Sequence, residues 1–237
     1  MMKIKYFTLP NILTLSNLVC GVFASLTTVA SIWDSSISLA VPLMFILASA
    51  LFDFLDGFAA RLTGQYSALG VQLDSLADMV SFGLTPSLIL VALYNNAGGI
   101  GWWWLIALGV VICSALRLAR FNIDEEQKES FIGLPTPALA IAVGSLAWAV
   151  EAGEMTLSPS VILAISLVGA WLLISPIRMF SFKFKSFAIR ENAVRFGFIA
   201  FALTVVIIGG VSALWCAIAA YILLSIILSL TAKKENN

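Results

Sequence analysis

Long apolar runs dominate this chain and restrict the structures that it can form. Of the 237 residues, 61% are hydrophobic and only 11% are charged. In lipid a backbone must satisfy its hydrogen bonds internally, so runs of this length fold as helices that cross the bilayer. We therefore predict an all-α integral membrane protein with about eight transmembrane helices. The predicted spans cover about residues 12–32, 38–60, 68–93, 102–119, 135–150, 159–177, 194–210 and 212–231.

The basic residues are distributed unevenly, and this predicts the orientation of the chain. All 13 lysines and arginines fall at the two termini, in the loops after predicted spans 2, 4 and 6, or at the span ends that adjoin those loops, and the other loops contain none. Cytoplasmic loops carry an excess of Lys and Arg. We therefore predict a multi-pass protein of the cytoplasmic membrane with both termini in the cytoplasm. The basic residues are Lys3, Lys5, Arg61, Arg117, Arg120, Lys128, Arg178, Lys183, Lys185, Arg190, Arg195, Lys233 and Lys234.

Composition also limits the chemistry. The chain contains no histidine, which removes the usual general base and the usual zinc ligand. Its formal net charge of zero gives no electrostatic reason to expect a nucleic acid partner. The three cysteines, Cys20, Cys113 and Cys216, lie far apart in apolar runs and are interpreted as small core residues.

Four aspartates interrupt the apolar pattern near the cytoplasmic ends of predicted spans 2 and 3. Asp53, Asp56, Asp74 and Asp78 all fall within 26 residues. A carboxylate at bilayer depth costs about 2.5–3.5 kcal/mol on insertion scales. Four of them indicate a bound partner, and divalent cations are the natural one. Ligation by oxygen alone suits Mg²⁺ or Mn²⁺.

The spacing of the aspartates predicts two facing acidic surfaces. Asp53 and Asp56 are three residues apart and Asp74 and Asp78 are four apart, so each pair shares one helix face. A two-helix hairpin that turns through residues 62–66 sets these faces opposite each other. Carboxylates arranged in this way predict a two-metal site that clamps a phosphoryl group. A proton relay or sodium site in a cation-coupled transporter is the alternative, and structural ion pairing is a third.

The full pattern around these aspartates resembles the signature of the CDP-alcohol phosphatidyltransferase family. That signature, D-x2-D-G-x2-A-R-x8-G-x3-D-x3-D, matches at every position from Asp53 to Asp78. The resemblance implies a six-helix catalytic core over about residues 8–210. The chain would then be a single membrane domain, 1–237, with a last helix and cytoplasmic tail at about 211–237. It also implies a homodimer.

The resemblance further implies a role for each residue of the signature. Asp53, Asp56 and Asp74 would bind two divalent cations, Mg²⁺ or Mn²⁺. Asp78 would also contact metal and would act as the general base. The residues implied to contact the nucleotide or its pyrophosphate are Gly57, Arg61 and Ser67.

Polar residues at the start of the first span are further candidates for nucleotide contacts. Thr14 and Asn17 are three residues apart and share a face, and Asn11 precedes them by one turn. We predict that these three side chains contact the base or ribose. The alternative is a polar, capped entry to the helix.

Segments outside the signature resemble the membrane-type phosphatidylserine synthases within this family. They are Arg117-x-x-Arg120-Phe-Asn122 and Gly133-Leu-Pro135-x-Pro137-Ala. This resemblance implies CDP-diacylglycerol as the donor, L-serine as the acceptor and membrane lipid as the surroundings, with CMP released by in-line displacement. Arg117, Arg120 and Arg178 are the candidates for binding the anion of the acceptor. Arginine binds carboxylate and phosphate alike, so glycerol 3-phosphate and inositol phosphate remain alternative acceptors.

Overall fold

A computed structural model of the chain describes residues 6–34, 36–124, 132–179 and 193–235. These residues form helices joined by loops, with one isolated antiparallel bridge between Ile132 and Arg178. Several basic residues used to predict the orientation lie outside the described residues, or have side chains that do. They are Lys3, Lys5, Lys128, Lys183, Lys185, Arg190, Arg195, Lys233 and Lys234.

The described helices form eight continuous segments, which coincide in position with the eight predicted spans. The first four segments contain α1 (Leu9–Trp33), α2 (Ala40–Thr63), α3 (Ala68–Asp78) with α4 (Thr85–Asn96), and α5 (Leu108–Ile123) after a 3₁₀ turn (Trp103–Ala107). The last four are α6 (Thr136–Glu151), α7 (Pro159–Ile174), α8 (Ala193–Gly209), and α9 (Leu214–Glu235) after a 3₁₀ turn (Val211–Ala213). Five segments are long and apolar enough to cross a membrane, and three are shorter apolar helices. The all-helical membrane architecture is confirmed, whereas the number of spans and the orientation of the termini stay predictions.

The hairpin between α2 and α3 turns slightly later than its predicted position. Helix α2 continues to Thr63 and ends where Gly64 adopts a left-handed conformation with φ of 65°. Ser67 then caps α3, its hydroxyl accepting a hydrogen bond from the backbone N–H of Gly70 at 2.9 Å. The turn comes later than predicted because the helix continues until Gly64, which adopts the left-handed conformation at little steric cost.

The third segment is not uniformly α-helical. Between α3 and α4, residues Met79–Leu84 form a π-helical turn that begins immediately after Asp78. Ser81 and Phe82 in this turn are fully buried. Single π turns inside α-helices occur frequently at functional sites, and this one follows directly on a candidate general base.

Helix α4 runs through the apolar core. It packs against α1, α6 and α7. Fully buried Ile89 and Ala92 belong to this core, together with Ala140 and Ala147 of α6. Burial of this kind makes the centre of the bundle a rigid support for the polar residues at its end.

The Gly-Leu-Pro segment before α6 is held against the end of α7. Gly133 has φ of 77°, a conformation that favours glycine, and a Cβ at this position would collide with the carbonyl oxygen of Leu173. The N–H of Gly133 donates to the carbonyl of Ile177, and that of Leu134 to the carbonyl of Leu172, each at 2.9 Å. The segment therefore has a structural role.

A close approach between α1 and the π turn generates a stability prediction. A Cβ on Gly21 would lie 2.8 Å from the Cα of Ser81 and would overlap its Oγ. Gly21→Ala should therefore destabilise the protein by about 1–3 kcal/mol, as overpacked cores are destabilised. The measurement is the melting temperature of the detergent-solubilised protein.

The matched control for this prediction is Gly197→Ala in α8. Among the described residues, and leaving aside its own turn of helix, no atom would lie within 4 Å of a Cβ at Gly197. The melting temperature of Gly197→Ala should therefore stay the same or rise slightly with the better helix former. Equal melting temperatures for the two variants would contradict the close approach.

Candidate active site

The hairpin brings three of the four aspartates into one cluster. Asp53 and Asp56 lie in the last turns of α2, and Asp74 lies in the second turn of α3. One carboxylate oxygen from each lies within 4.8 Å of the other two. The helix spacing thus produces the facing acidic surfaces that the sequence predicts.

The cluster has the donors that a divalent cation requires. Asp74 Oδ1 is buried and has no hydrogen-bond partner among the described residues. A buried acceptor without a partner is costly, and three adjacent carboxylates repel one another. A hard cation bound by oxygen ligands offsets both costs. The residues therefore fit Mg²⁺ or Mn²⁺, and the choice between the two stays a prediction.

Asp78 lies at one side of this cluster. It is the last residue of α3, is 8% exposed, and interacts electrostatically with Asp53, Asp56 and Asp74. Its Oδ1 accepts a hydrogen bond from Nδ2 of Asn17 at 3.0 Å. One oxygen of this carboxyl is therefore held by α1.

Helix α1 bonds to a carboxylate on each side of the hairpin. Thr14 Oγ1 donates to Asp56 Oδ2 at 2.5 Å, while Asn17 donates to Asp78. Both α1 residues are buried. The helix cap of α1 is Thr8, whose hydroxyl accepts from the N–H of Asn11 at 3.4 Å. Thr14 and Asn17 therefore hold the acidic residues, which the sequence did not predict.

A cleft of about 190 Å³ opens beside Asp56 and Asp74, between the start of α1 and the hairpin. Its lining includes five of the six residues predicted to contact the nucleotide: Asn11, Thr14, Gly57, Arg61 and Ser67. Asn17 is not part of this lining. The cleft thus gathers most of the predicted nucleotide contacts next to the acidic cluster.

Two polar residues that line the cleft were not among the predicted site residues. Gln65 and Tyr66 lie in the turn of the hairpin and contribute to the cleft. They occupy unspecified positions of the family signature, between Arg61 and Gly70. Their position in the turn of a predicted hairpin was the available signal, since both helix ends meet there.

The two glycines of the signature leave room for polar atoms. A Cβ on Gly70 would lie 3.2 Å from Ser67 Oγ and 3.3 Å from Asn11 Oδ1. A Cβ on Gly57 would lie 3.6 Å from a guanidinium nitrogen of Arg61. The Arg61 cation therefore lies over Gly57 at the edge of the cleft, which suits contact with a phosphate.

The three arginines predicted to bind the acceptor differ in their surroundings. Arg117 is 7% exposed, interacts electrostatically with Asp78, and its Nε has no hydrogen-bond partner among the described residues. Arg120 is about half exposed and pairs with Asp124, with Nε 3.4 Å from Oδ2. Arg178 is exposed. The structure thus brings Arg117 beside the acidic site, whereas Arg120 faces outward.

The last helix also reaches this region. Tyr221 of α9 is 7% exposed and interacts electrostatically with Arg117. Tyr221 was not among the predicted site residues, because it sits in an apolar run beyond the predicted core boundary at residue 210. A phenol in such a run was the only signal. The division of the chain at residue 210 stays a prediction.

Comparison with known proteins identifies the family. Residues 7–174 match the family model for CDP-alcohol phosphatidyltransferases. The chain belongs to this family. The match contains α1 to α7, and therefore the whole acidic hairpin and its cleft, whereas α8 and α9 lie beyond it. Membership of the CDP-alcohol phosphatidyltransferase family supports an enzyme over the transporter alternative.

Two of the similar proteins share one name, and a third has a related one. The CDP-diacylglycerol–serine O-phosphatidyltransferase of Bacillus subtilis is 36% identical over 179 residues, which cover 74% of this chain and 91% of that protein. The protein of that name from Mycobacterium leprae is 34% identical over 220 residues, which cover 89% of this chain and 72% of that protein. The archaetidylserine synthase of Methanothermobacter thermautotrophicus is 34% identical over 143 residues, which cover 60% of this chain and 58% of that protein.

The acidic cluster generates a prediction about metal binding. Asp74→Asn should weaken Mn²⁺ binding by about tenfold or more, since outer-shell changes alone cost about 10–100-fold. Binding is measured on the purified protein in detergent by the loss of the free Mn²⁺ spin-resonance signal.

Asp34→Asn is the matched control for Asp74→Asn. Asp34 is exposed at the opposite end of α1 and accepts a hydrogen bond from the backbone N–H of Ser36 at 2.9 Å. This variant should bind Mn²⁺ like the wild type. Wild-type affinity in Asp74→Asn would mean that the cluster does not hold the metal.

Proposed function

We propose that this protein transfers the phosphatidyl group of CDP-diacylglycerol to the hydroxyl of L-serine and releases CMP. One observation carries the proposal: the cluster of Asp53, Asp56 and Asp74 opens onto the cleft, while buried Arg117 lies beside Asp78. The relatives from Bacillus subtilis and Mycobacterium leprae are named for this reaction.

The acidic residues provide the metal ligands. Asp53, Asp56 and Asp74 would hold the divalent cations, with Asp78 contributing from the side of the cluster. Bound there, Mg²⁺ or Mn²⁺ would offset the negative charge of the pyrophosphate and of the departing CMP.

The cleft and the adjacent helix surfaces accommodate the donor. Arg61, at the edge of the cleft, contacts the pyrophosphate, and the polar side chains in the cleft contact the nucleotide. Phe54 and Phe58 of α2 are exposed, with ring centroids 6.5 Å apart, and Val71 and Leu76 of α3 are exposed as well. These apolar side chains let the acyl chains remain in the bilayer while the headgroup enters the cleft.

Asp78 acts as the general base. It takes the proton of the serine hydroxyl while that oxygen attacks the phosphorus bonded to diacylglycerol, and the bond from this phosphorus to the CMP oxygen breaks. A carboxylate is a weak base for a hydroxyl, so positioning must supply much of the effect. Direct displacement is favoured because the aspartates that cluster here are engaged as metal ligands or as the base.

Arg117 binds the carboxylate of serine. Among the described residues it is the buried cation that interacts with Asp78. A guanidinium binds a carboxylate through two parallel hydrogen bonds. Because it binds a phosphate in the same way, the preference for serine over glycerol 3-phosphate and inositol phosphate rests on the relatives named for this reaction.

The end of the bundle that holds the cleft is assigned to the cytoplasmic face of the cell membrane. The arginines with described side chains, Arg61, Arg117, Arg120 and Arg178, lie close to the same ends of the helices as the acidic site. Such residues mark cytoplasmic loops. Homodimer formation stays a prediction from the family resemblance.

Substitution of Arg117 tests the proposal. The assay measures phosphatidylserine and CMP formed from CDP-diacylglycerol, L-serine and Mn²⁺ by the purified protein in mixed micelles. Loss of a hydrogen-bonded charge costs about 1.5–3 kcal/mol, so Arg117→Gln should raise KM for serine by about tenfold or more. KM for CDP-diacylglycerol should change by less than about threefold.

The control is Arg120→Gln, one turn away on the same helix and exposed. It should keep a wild-type KM for serine. A wild-type KM in Arg117→Gln would overturn the assignment of this residue. A wild-type protein that forms no phosphatidylserine would overturn the proposed function.

A further inference from the structure

Asn17 is held by three side chains, those of Asp78, Ser81 and Ser49. It is fully buried, and its Nδ2 donates to Asp78 while its Oδ1 accepts from Ser81 Oγ at 2.7 Å. Its main-chain carbonyl also accepts from Ser81 Oγ at 3.1 Å and from Ser49 Oγ at 3.2 Å. Both serines are fully buried. Both ends of the Asn17 amide are thus engaged inside the protein.

Asp78 and Ser81 together hold this amide in one orientation. A carboxamide has an accepting oxygen on one side and a donating NH₂ group on the other, whereas an ionised carboxylate only accepts. The NH₂ group therefore faces Asp78, and the Ser81 hydroxyl donates to Oδ1 and holds the other end of the amide. An amide turned by half a rotation would present its oxygen to the carboxylate of Asp78 and repel it.

The π turn keeps Ser81 in this position. Asp78, Ser81 and Thr85 follow one another along the same face, next to α1. Thr85 continues the contact, with its hydroxyl 2.8 Å from that of Ser25 and donating to the carbonyl of Gly21 at 3.3 Å. The absence of a side chain on Gly21 lets Ser81 approach α1. The turn after the base is therefore part of the same hydrogen-bonded contact.

We propose that Ser81 is a positioning residue for the transfer reaction and acts through Asn17. Ser81 anchors the oxygen end of the amide, and the amide holds the Asp78 carboxyl in its orientation toward the acceptor hydroxyl. This inference rests on the proposed function, in which Asp78 is the general base. The side chains of Ser81 and Asn17 are fully buried and neither is part of the cleft lining, so we expect the effect of each on turnover.

The test compares Ser81→Ala with Ser49→Ala. Ser49 is equally buried and donates to the same residue, but only to its main-chain carbonyl. Ser81→Ala should lower kcat about tenfold or more, because loss of a residue that orients a metal ligand costs about 10–100-fold in other enzymes. KM for both substrates should stay within about threefold of the wild type. Ser49→Ala should keep kcat within about threefold of the wild type. Melting temperatures in detergent report the structural cost of each change.

A double-mutant cycle isolates the route through Asn17. If Ser81 acts only through this amide, adding Ser81→Ala to Asn17→Ala should lower kcat no further than Asn17→Ala alone. Because Ser81 is buried, Ser81→Cys is a second variant. Its weaker donor should give a kcat below that of the wild type, with unchanged KM.

Several results would overturn the inference. They are a wild-type kcat in Ser81→Ala or Ser81→Cys, an equal loss of kcat in Ser49→Ala, and multiplicative losses in the double variant. A wild-type protein that forms no phosphatidylserine is a different result, because it would refute the proposed function before the role of Ser81 is measured.

Discussion

The arrangement of this site depends on hydrogen bonds from α1 to the acidic hairpin. Thr14 holds Asp56 of α2, and Asn17 holds Asp78 at the end of α3. Without such partners, buried carboxylates repel one another and draw water into the bundle. Helices α2 and α3 both pack against α1, and these two hydrogen bonds tie a carboxylate of each to it. The positions of the cleft and of the proposed metal ligands and base depend on this contact.

The two ends of the bundle are stabilised in different ways. At the end opposite the acidic cluster, the polar contacts join loops to helices, as when Ser38 donates to Glu151 at 2.7 Å and Ser212 to Glu154 at 3.0 Å. At the acidic end, the contacts join one helix to another and serve the carboxylates. The apolar core around α4 separates these ends. Changes in the remote loops should therefore leave the acidic site intact.

Local spacing in the sequence predicted the hairpin and its acidic faces, because residues three or four apart share a helix face wherever the helix packs. The same spacing could not show that Thr14 and Asn17 would meet carboxylates, since this depends on which helix lies beside α1. Nor could it separate Arg117 from Arg120, which are one turn apart and differ in burial only through their neighbours. The π turn also escaped prediction, because Met79–Leu84 lie inside one predicted apolar span with no break in its pattern.

The most direct test of this account is a competition between acceptors. Purified protein in detergent receives CDP-diacylglycerol, Mn²⁺ or Mg²⁺, and equal amounts of L-serine, glycerol 3-phosphate, inositol and inositol phosphate, and the lipid products are identified by mass spectrometry. The account predicts phosphatidylserine as the main product, with an equal amount of CMP. A different phosphatidyl lipid would contradict serine as the acceptor, and no lipid product with either metal would contradict the transferase site itself.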